Sequence, residues 1–304
     1  MKKWLKIILP LFLLCLLIPI KAGIGAFGVN INDTFTYECI AAERSFALGA
    51  ESGIGEGFKI DGQHFDPGTT ITVIVQNLIS DSVVYNVSSG GYTYFAISDL
   101  MGFLISLRFY YLFYPFTATS IVTDVNNWNQ TFVEEDPGLM LIEPFIEIGD
   151  ATWTDFEEFA DGMTTLVATA TDLTGIIISS EFVQDDTTFL CEFHISGEFN
   201  ATYTPVTSPS LPWIKDLNSL EHYYRFAYDK PTGVMLGTKM YGSASGEVNG
   251  SVMELSYDFH VEQTGYDLPD ELTTAKFNGF SIMITIVTLS IPVILMKFKR
   301  KSIN

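Results

Sequence analysis

The stretch KMYGSASGEVNGSVMELSYDFH, residues 239–260, decides the fold. The Asn249-Gly250 pair at its centre is the strongest two-residue signal for a β-hairpin. A hairpin that turns on this pair sets small and apolar residues opposite one another on one face, with polar residues on the other. A slip of one residue would set apolar against polar side chains throughout, so the register is strongly specified. The predicted apolar pairs are Gly246 with Met253, Ala244 with Leu255, Gly242 with Tyr257, and Met240 with Phe259.

A third strand precedes this hairpin, because aromatic residues alternate with other side chains up to Tyr228. The stretch YDKPTGVML, residues 228–236, then supplies Asp, Pro and Gly, which are turn residues. Its lysine and glycine lack the spacing of a phosphate-binding loop, so a turn is predicted. A five-residue loop would set Phe226 opposite Leu236, and residues 222–262 are predicted to form a three-stranded meander with one apolar face.

Other stretches extend the sheet and supply its helices. Residues 29–40 and 189–203 alternate between apolar and polar side chains, as half-buried strands do. A capping box begins at Thr154, and apolar residues follow at helical spacing to residue 170. The apolar stretch 95–116 is too short to span a membrane and is predicted to lie beneath the sheet. The body is therefore predicted to be mainly β, a large curved antiparallel sheet of meander type with one or two helices packed on its apolar face.

An apolar pocket beneath the sheet is the alternative to a filled core. Three small residues leave room along one strand face, which the stretch 95–116 would close. Such a cavity would suit a lipid tail. The candidate lining residues are Phe103, Leu107, Tyr111, Gly242, Ala244 and Gly246.

Both ends of the chain predict a membrane-anchored, exported protein. Residues 1–22 have a basic start, an apolar stretch and small residues after it, which is typical of a secretory signal peptide; a retained signal anchor is the alternative. Residues 277–296 carry no charge and extend about 30 Å as a helix, enough for a single transmembrane span in the cell membrane. The basic tail 297–304 is predicted to be cytoplasmic. Residues 271–276 form a predicted stalk, and residues 23–270 a predicted exported domain.

Charge excludes one class of partner. All 36 acidic residues lie between residues 23 and 276, together with only eight of the 16 basic residues. A body this acidic repels nucleic acid, so no nucleic-acid partner is predicted.

The four histidines are too far apart for a metal motif, and neither a cofactor nor an enzyme activity is predicted. A hydrolase assembled from distant residues is the least favoured function.

Export would place Cys39 and Cys191 in an oxidising compartment. The alternation of their predicted strands turns both side chains to the buried face. A disulfide between them is predicted in preference to two buried thiols.

Five Asn-x-Ser/Thr sequons are candidate N-glycosylation sites. They are predicted on the polar faces of strands, in one loop and in one turn, where a glycan has room. The sites are Asn32, Asn86 and Asn200 on strands, Asn129 in the loop, and Asn249 in the turn.

Three segments and the predicted membrane anchor carry a resemblance. The segments are VNINDTFTYE at 29–38, YDKPTGVMLG at 228–237 and HVEQTGYDLP at 260–269. With these features the chain resembles archaeal cell-surface proteins that have a choice-of-anchor domain, of the S type. The resemblance implies an exported β-rich domain held by an interchangeable C-terminal anchor, and it implies neither an activity nor catalytic residues.

The sequence therefore favours a membrane-anchored structural or interaction protein of the cell surface. Its ectodomain is expected to be acidic and β-rich, with sequons that are either glycosylated or unmodified surface asparagines. Other surface proteins are its predicted partners, and the lipid bilayer is predicted to hold its C-terminal helix. The alternative is a surface carrier or sensor that binds an apolar ligand, such as a lipid, under the curved sheet.

Overall fold

The computed structural model describes nine parts of the chain: residues 26–60, 62–107, 111–123, 131–134, 143–169, 176–198, 217–248, 250–270 and 272. The predicted signal peptide and the predicted span at 277–296 lie outside these parts. Among the described helices, none combines the length and the apolar composition that a bilayer crossing requires. All described helices and strands belong to one compact unit, residues 1–269, and a second unit follows from residue 270.

The described chain is mainly β, and one antiparallel sheet of ten strands dominates it, as predicted. A separate two-stranded hairpin completes the β structure. The ten strands are β1 (Thr34–Leu48), β2 (Glu51–Glu56), β5 (Thr70–Ile79), β6 (Ser82–Ser89), β7 (Tyr92–Ser98), β8 (Ile176–Gln184), β9 (Thr188–Glu198), β10 (Leu217–Asp229), β11 (Val234–Val248) and β12 (Ser251–Gln263). The small hairpin consists of β3 (Phe58–Ile60) and β4 (Gln63–Phe65).

Two meanders share the sheet and meet at β1. The strand order is β7-β6-β5-β1-β12-β11-β10-β9-β8, with β2 paired to β1. Strands β5 to β7 form the first meander, and strands β8 to β12 form the second. On one edge β1 pairs with β12, and on the other it pairs with β5 and then with β2. The first and last strands of the domain therefore lie side by side in the middle of the sheet.

The hairpin of β11 and β12 has the predicted register throughout, from Gly246 opposite Met253 to Met240 opposite Phe259. The hairpin of β10 and β11 has a different register from the predicted one. Its loop has four residues, because Asp229 pairs with Val234, and a bulge beside Tyr228 shifts the strands again. Phe226 consequently lies opposite Thr238, and the predicted pairing with Leu236 is wrong.

Strand β1 begins at Thr34, later than predicted, because residues 30–33 form a turn that the Asp33 N–H closes by donating to the Asn30 carbonyl. The backbone N–H of Asn30 donates to Asp33 Oδ2, 2.7 Å away, and Asn32 adopts a positive φ of 75°. A bulge between Cys39 and Ala41 then inserts one extra residue into the strand. Since strand side chains alternate, this residue reverses which positions face the core.

Four helices are described, where one or two were predicted: α1 (Leu100–Ser106), α2 (Tyr114–Val122), α3 (Thr131–Glu134) and α4 (Asp150–Thr169). Helix α4 starts at Asp150, so Thr154 lies inside it and the predicted capping box is wrong. The stretch 95–116 was predicted to lie beneath the sheet and does so only in part, because Phe95 and Ile97 are exposed. It contains the end of the edge strand β7, all of α1 and the start of α2.

The helices pack on one face of the sheet, called here the inner face. Phe103 of α1 is fully buried, and its ring centroid lies 5.0 Å from that of Phe226, 5.7 Å from that of Tyr228 and 5.4 Å from that of Phe156 in α4. Each such ring contributes about 1.5–3 kcal/mol by leaving water. The opposite face, called the outer face, carries the polar positions of the strands.

Candidate interaction surface on the outer face of the sheet

Three stacked rings cross the outer face of the second meander. His194, Tyr223 and Tyr241 lie directly opposite one another on β9, β10 and β11. The His194 and Tyr223 ring centroids are 4.2 Å apart with an angle of 6° between the planes, and those of Tyr223 and Tyr241 are 4.7 Å apart at 7°. Lys239 Nζ lies 5.3 Å from the Tyr241 ring centroid. This row is called the aromatic ladder.

Polar groups surround the aromatic ladder. His194 Nε2 lies 2.6 Å from Glu221 Oε2, and the Ser219 and Ser245 hydroxyl oxygens are 2.8 Å apart. Burial, with a smaller effect of Glu192, raises the pKa of Tyr241 to about 12, so its phenol remains a hydrogen-bond donor at neutral pH. The surface offers both donors and acceptors beside flat rings, a composition suited to a polar partner.

A buried arginine fastens the end of the domain to this face. Arg225 of β10 is only 2% exposed, and it donates to Glu192 on β9 through Nε, 2.9 Å from Oε2, and through Nη2. Its Nη1 donates to the carbonyl of Pro269. The backbone N–H of Leu268 donates to Glu262 Oε1, 2.8 Å away. These residues, called the C-terminal clamp, hold the last part of the unit against the sheet.

Carboxylates line up on the central strands of the same face. Glu43 of β1 lies directly opposite Glu56 of β2 and opposite Asp258 of β12. Like charges in such positions repel one another.

Within the described parts of the chain, no group of His, Cys, Asp and Glu is arranged to hold a metal ion.

The inner-face residues of the predicted pocket lie in a packed region. Phe103 and Leu107 are buried, and the Tyr111 ring stacks on that of Tyr224 with centroids 5.0 Å apart. A Cβ added at Gly242 would lie 2.5 Å from the Glu221 carbonyl oxygen and 2.7 Å from Tyr257 Oη.

Two more residues of that prediction lie on the same strand as Gly242. Ala244 is buried opposite Leu255, and Gly246 is buried opposite Met253. The room predicted beside Gly242 is therefore taken up by the Tyr257 side chain and the neighbouring backbone.

Two buried titratable groups lie near opposite parts of the sheet. Burial lowers the pKa of His222 on β10 to about 3, and its Nδ1 lies 2.7 Å from Tyr257 Oη. Burial raises the pKa of Glu143 to about 7, and the nearby Asp99 and Glu147 carboxylates add to this increase. His222 is therefore neutral at neutral pH, whereas Glu143 titrates there.

The predicted disulfide is wrong, because both cysteines are free buried thiols. Cys39 and Cys191 lie in one cross-strand row, with Val261, Thr238 and Phe226 between them. Four strand spacings separate them, roughly 19 Å along the sheet, whereas disulfide-bonded Cα atoms are at most about 7 Å apart. Burial raises the pKa of the Cys39 thiol to about 12, which makes it unreactive.

Two of the five sequons fall on described residues. Asn86 lies on β6 and is half-buried, facing outward between the buried Tyr85 and Val87, as predicted. Asn32 is exposed, but it lies in the turn before β1 and not on a strand face. Asn129, Asn200 and Asn249 lie outside the described parts.

The loop at 230–233 is a turn, as predicted. Lys230 Nζ donates to Gln184 Oε1 and to the Asp185 carbonyl, 3.1 and 3.0 Å away. Gly233 has a φ of 69°, and a Cβ there would lie 2.1 Å from the Ile146 carbonyl oxygen. The loop is thus packed against protein backbone, which leaves no room beside Gly233 for a phosphate.

The C-terminal clamp is a feature of the outer face that the sequence analysis did not predict. Arg225 and Glu192 directly oppose each other, and continuing the strand pairing from β10 to β9 would have revealed the pair. No protein-family model matches the chain, and no curated protein matches it. The geometry of the outer face is accordingly the main guide to function.

Proposed function

We propose that the chain is a membrane-anchored interaction protein of the cell surface, and that it meets its partners through the outer face of the second meander. The C-terminal clamp carries this proposal. Burying an ion pair costs desolvation energy. In the clamp, the buried Arg225 also holds the Pro269 carbonyl, and Glu262 holds the Leu268 N–H, so residues 268 and 269 are fixed against the sheet. That arrangement suits a domain held through the chain that follows, where the predicted stalk 271–276 and span 277–296 lie.

The remaining support comes from composition and surface chemistry. A strongly acidic body with a half-buried aromatic ladder on its outer face suits a partner that is polar or cationic. The resemblance to archaeal surface proteins with a choice-of-anchor domain agrees with this proposal. The carrier alternative finds less support, since Tyr257 occupies the space it requires beside Gly242.

The proposal is tested in intact cells with two epitope tags on the full chain. One tag is inserted in the exposed turn after β8, at residues 185–187, and the other follows residue 304. We expect protease to remove the first tag from intact cells and the second only after permeabilisation, with the protein released from membranes only by detergent. A protein that dissolves without detergent, or a protected first tag, refutes the proposal.

The interaction surface is tested separately by crosslinking on intact cells. Tyr241→Lys changes the aromatic ladder, and Phe95→Lys changes an exposed ring on the first meander as a matched control. We expect crosslinked products of the wild type to disappear with Tyr241→Lys and to persist with Phe95→Lys. Equal losses in the two variants would assign no special role to the ladder.

A further inference from the structure

The first meander contains a long stretch without charge. Residues 82–98, which cover β6 and β7, include no Asp, Glu, Lys, Arg or His, although the chain has 36 acidic residues. Among the described strands, β7 is one edge of the sheet. Proteins usually protect such edges with charged side chains, because an uncharged edge strand pairs readily with other chains.

This edge also exposes large apolar side chains. Phe95 is 62% exposed and Ile97 is 51% exposed, and both project from β7 on the outer face. These two exposed residues form an apolar strip, and Val84 of β6, which is buried, lies opposite Ile97. An exposed apolar strip beside an open sheet edge is a site for aggregation unless something covers it.

One sequon lies directly beside these side chains. Asn86 is the cross-strand partner of Phe95, so their Cβ atoms are about 5 Å apart and point to the same side of the sheet. Ser88, the third residue of the sequon, lies on the same face two positions further along β6. A sugar attached to Asn86 Nδ2 would thus start within reach of the Phe95 ring.

We propose that Asn86 carries an N-linked glycan and that this glycan covers Phe95 and Ile97 at the open edge of the first meander. The inference rests on the proposed export of the domain. The C–H faces of the first sugars would pack on the Phe95 ring, and their hydroxyl groups would hydrate the uncharged edge. The glycan would do here what charged side chains do on other edge strands.

The attachment is a group transfer from a lipid-linked sugar phosphate. Asn86 Nδ2 forms a bond to C1 of the sugar, while the bond between C1 and the phosphate oxygen breaks. The phosphate departs with the bonding electron pair, and the amide loses one proton. The product is a neutral N-glycosyl amide, so the side chain gains bulk and hydroxyl groups without charge.

The first test is peptide mass mapping of the full chain isolated from the membranes of its own cells. We expect the peptide that contains Asn86 to carry a sugar mass, and Asn86→Gln and Ser88→Ala each to abolish it. An unmodified Asn86 in protein whose 185–187 tag is accessible on intact cells overturns the inference. A protected tag instead shows that export itself fails, which refutes the proposed function first.

The second test asks whether the glycan covers the edge. In detergent, we expect Ser88→Ala to convert the single-particle elution peak into larger species and to increase the fluorescence of a hydrophobic dye. Adding Phe95→Lys to Ser88→Ala should restore the original peak, which also shows that the variant folds. Asn32→Gln, which removes the sequon in the turn, is the control and should leave the peak unchanged.

Two results of this second test would contradict the covering role. An elution peak that Ser88→Ala leaves unchanged means that the edge needs no cover. Wild-type protein that is a dimer without sugar, and becomes a monomer with Phe95→Lys, assigns the edge to a second copy of the chain.

Discussion

The two meanders lie in one sheet, yet their outer faces differ. The second meander carries stacked rings, carboxylates and the buried Arg225, whereas the first carries Phe95 and Ile97 without a charge nearby along the strand. Their inner faces do not differ in this way, because both bury apolar side chains in one core: Val, Ile and Tyr from the first meander, and these types together with Phe, Leu and Met from the second. A shared core therefore constrains only every second residue, and the remaining positions are free to give each meander its own surface chemistry.

The two meanders also differ in the buried titratable groups that lie near them. His222 lies beneath the second meander with a lowered pKa, and Glu143 lies near Tyr85 and Ser98 of the first with a raised pKa. The stability of the two regions should consequently respond to pH in opposite directions.

The largest expected effect is loss of the C-terminal clamp. Arg225→Met should lower the free energy of unfolding by about 3–5 kcal/mol, because it leaves the Glu192 carboxylate without its buried partner. Urea unfolding of the domain measures this loss. Limited proteolysis should show faster cleavage around residues 264–269.

The double variant Arg225→Met, Glu192→Leu is the matched control for the clamp. It removes both charges and should recover most of the lost stability in urea unfolding, while cleavage near Pro269 remains fast. If the single variant is as stable as the wild type, the ion pair contributes nothing to the second meander.

Acid should destabilise the region around His222. Its pKa is depressed to about 3 in the folded protein, so its contribution is complete above the unfolded pKa and is lost as pH falls from 6.5 to 3. The loss is about 4 kcal/mol over that range. His222→Gln should flatten this part of the stability curve, which urea unfolding at a series of pH values measures.

Base should weaken the region around Glu143. Its folded pKa is raised to about 7, so its contribution is complete below pH 4.5 and is lost as pH rises through 7. The loss is about 2–3 kcal/mol. Glu143→Gln should make the protein more stable than the wild type at pH 8 in denaturant titrations. Glu221→Gln, at an exposed carboxylate, is the control, and an equal gain there would contradict the role of burial.

The smallest expected effect concerns the row of carboxylates. Glu43→Gln should raise the free energy of unfolding by about 0.5 kcal/mol at low salt, since it relieves repulsion from Glu56 and Asp258. The gain should shrink as ionic strength increases. Glu247→Gln, opposite Val252, serves as the control. A gain that is independent of salt would argue against repulsion.

The part of the fold that could be predicted is the part that short-range rules determine. The Asn249-Gly250 turn has few allowed forms, so its register followed from the sequence. The longer loop before Val234 tolerates a bulge, so the same reasoning gave a wrong partner for Phe226. Likewise, the bulge after Cys39 depends on how β1 pairs with two strands along one edge, which a single sequence does not encode locally.

Exposed apolar residues made the end of the first meander hard to predict from the sequence. Phe95 and Ile97 face outward, while Phe103 and Leu107 are buried, so the stretch 95–116 has no clear period in sequence. The candidate surface on the outer face could be predicted in part. Alternation along the strand places Tyr223 and Arg225 on the polar face. The contact between Arg225 and the Pro269 carbonyl could not be predicted, because tertiary packing brings these residues together.

The C-terminal clamp also decides how the domain would respond to mechanical tension. A tether attached after Pro269 pulls on the end of β12, an interior strand with β1 and β11 on its two sides, and simultaneously on β10 through Arg225. A load on this strand acts on backbone hydrogen bonds along both of its sides, whereas an edge strand is bonded along one side alone. The proposed anchor would thus load an interior strand of the sheet and not an edge strand.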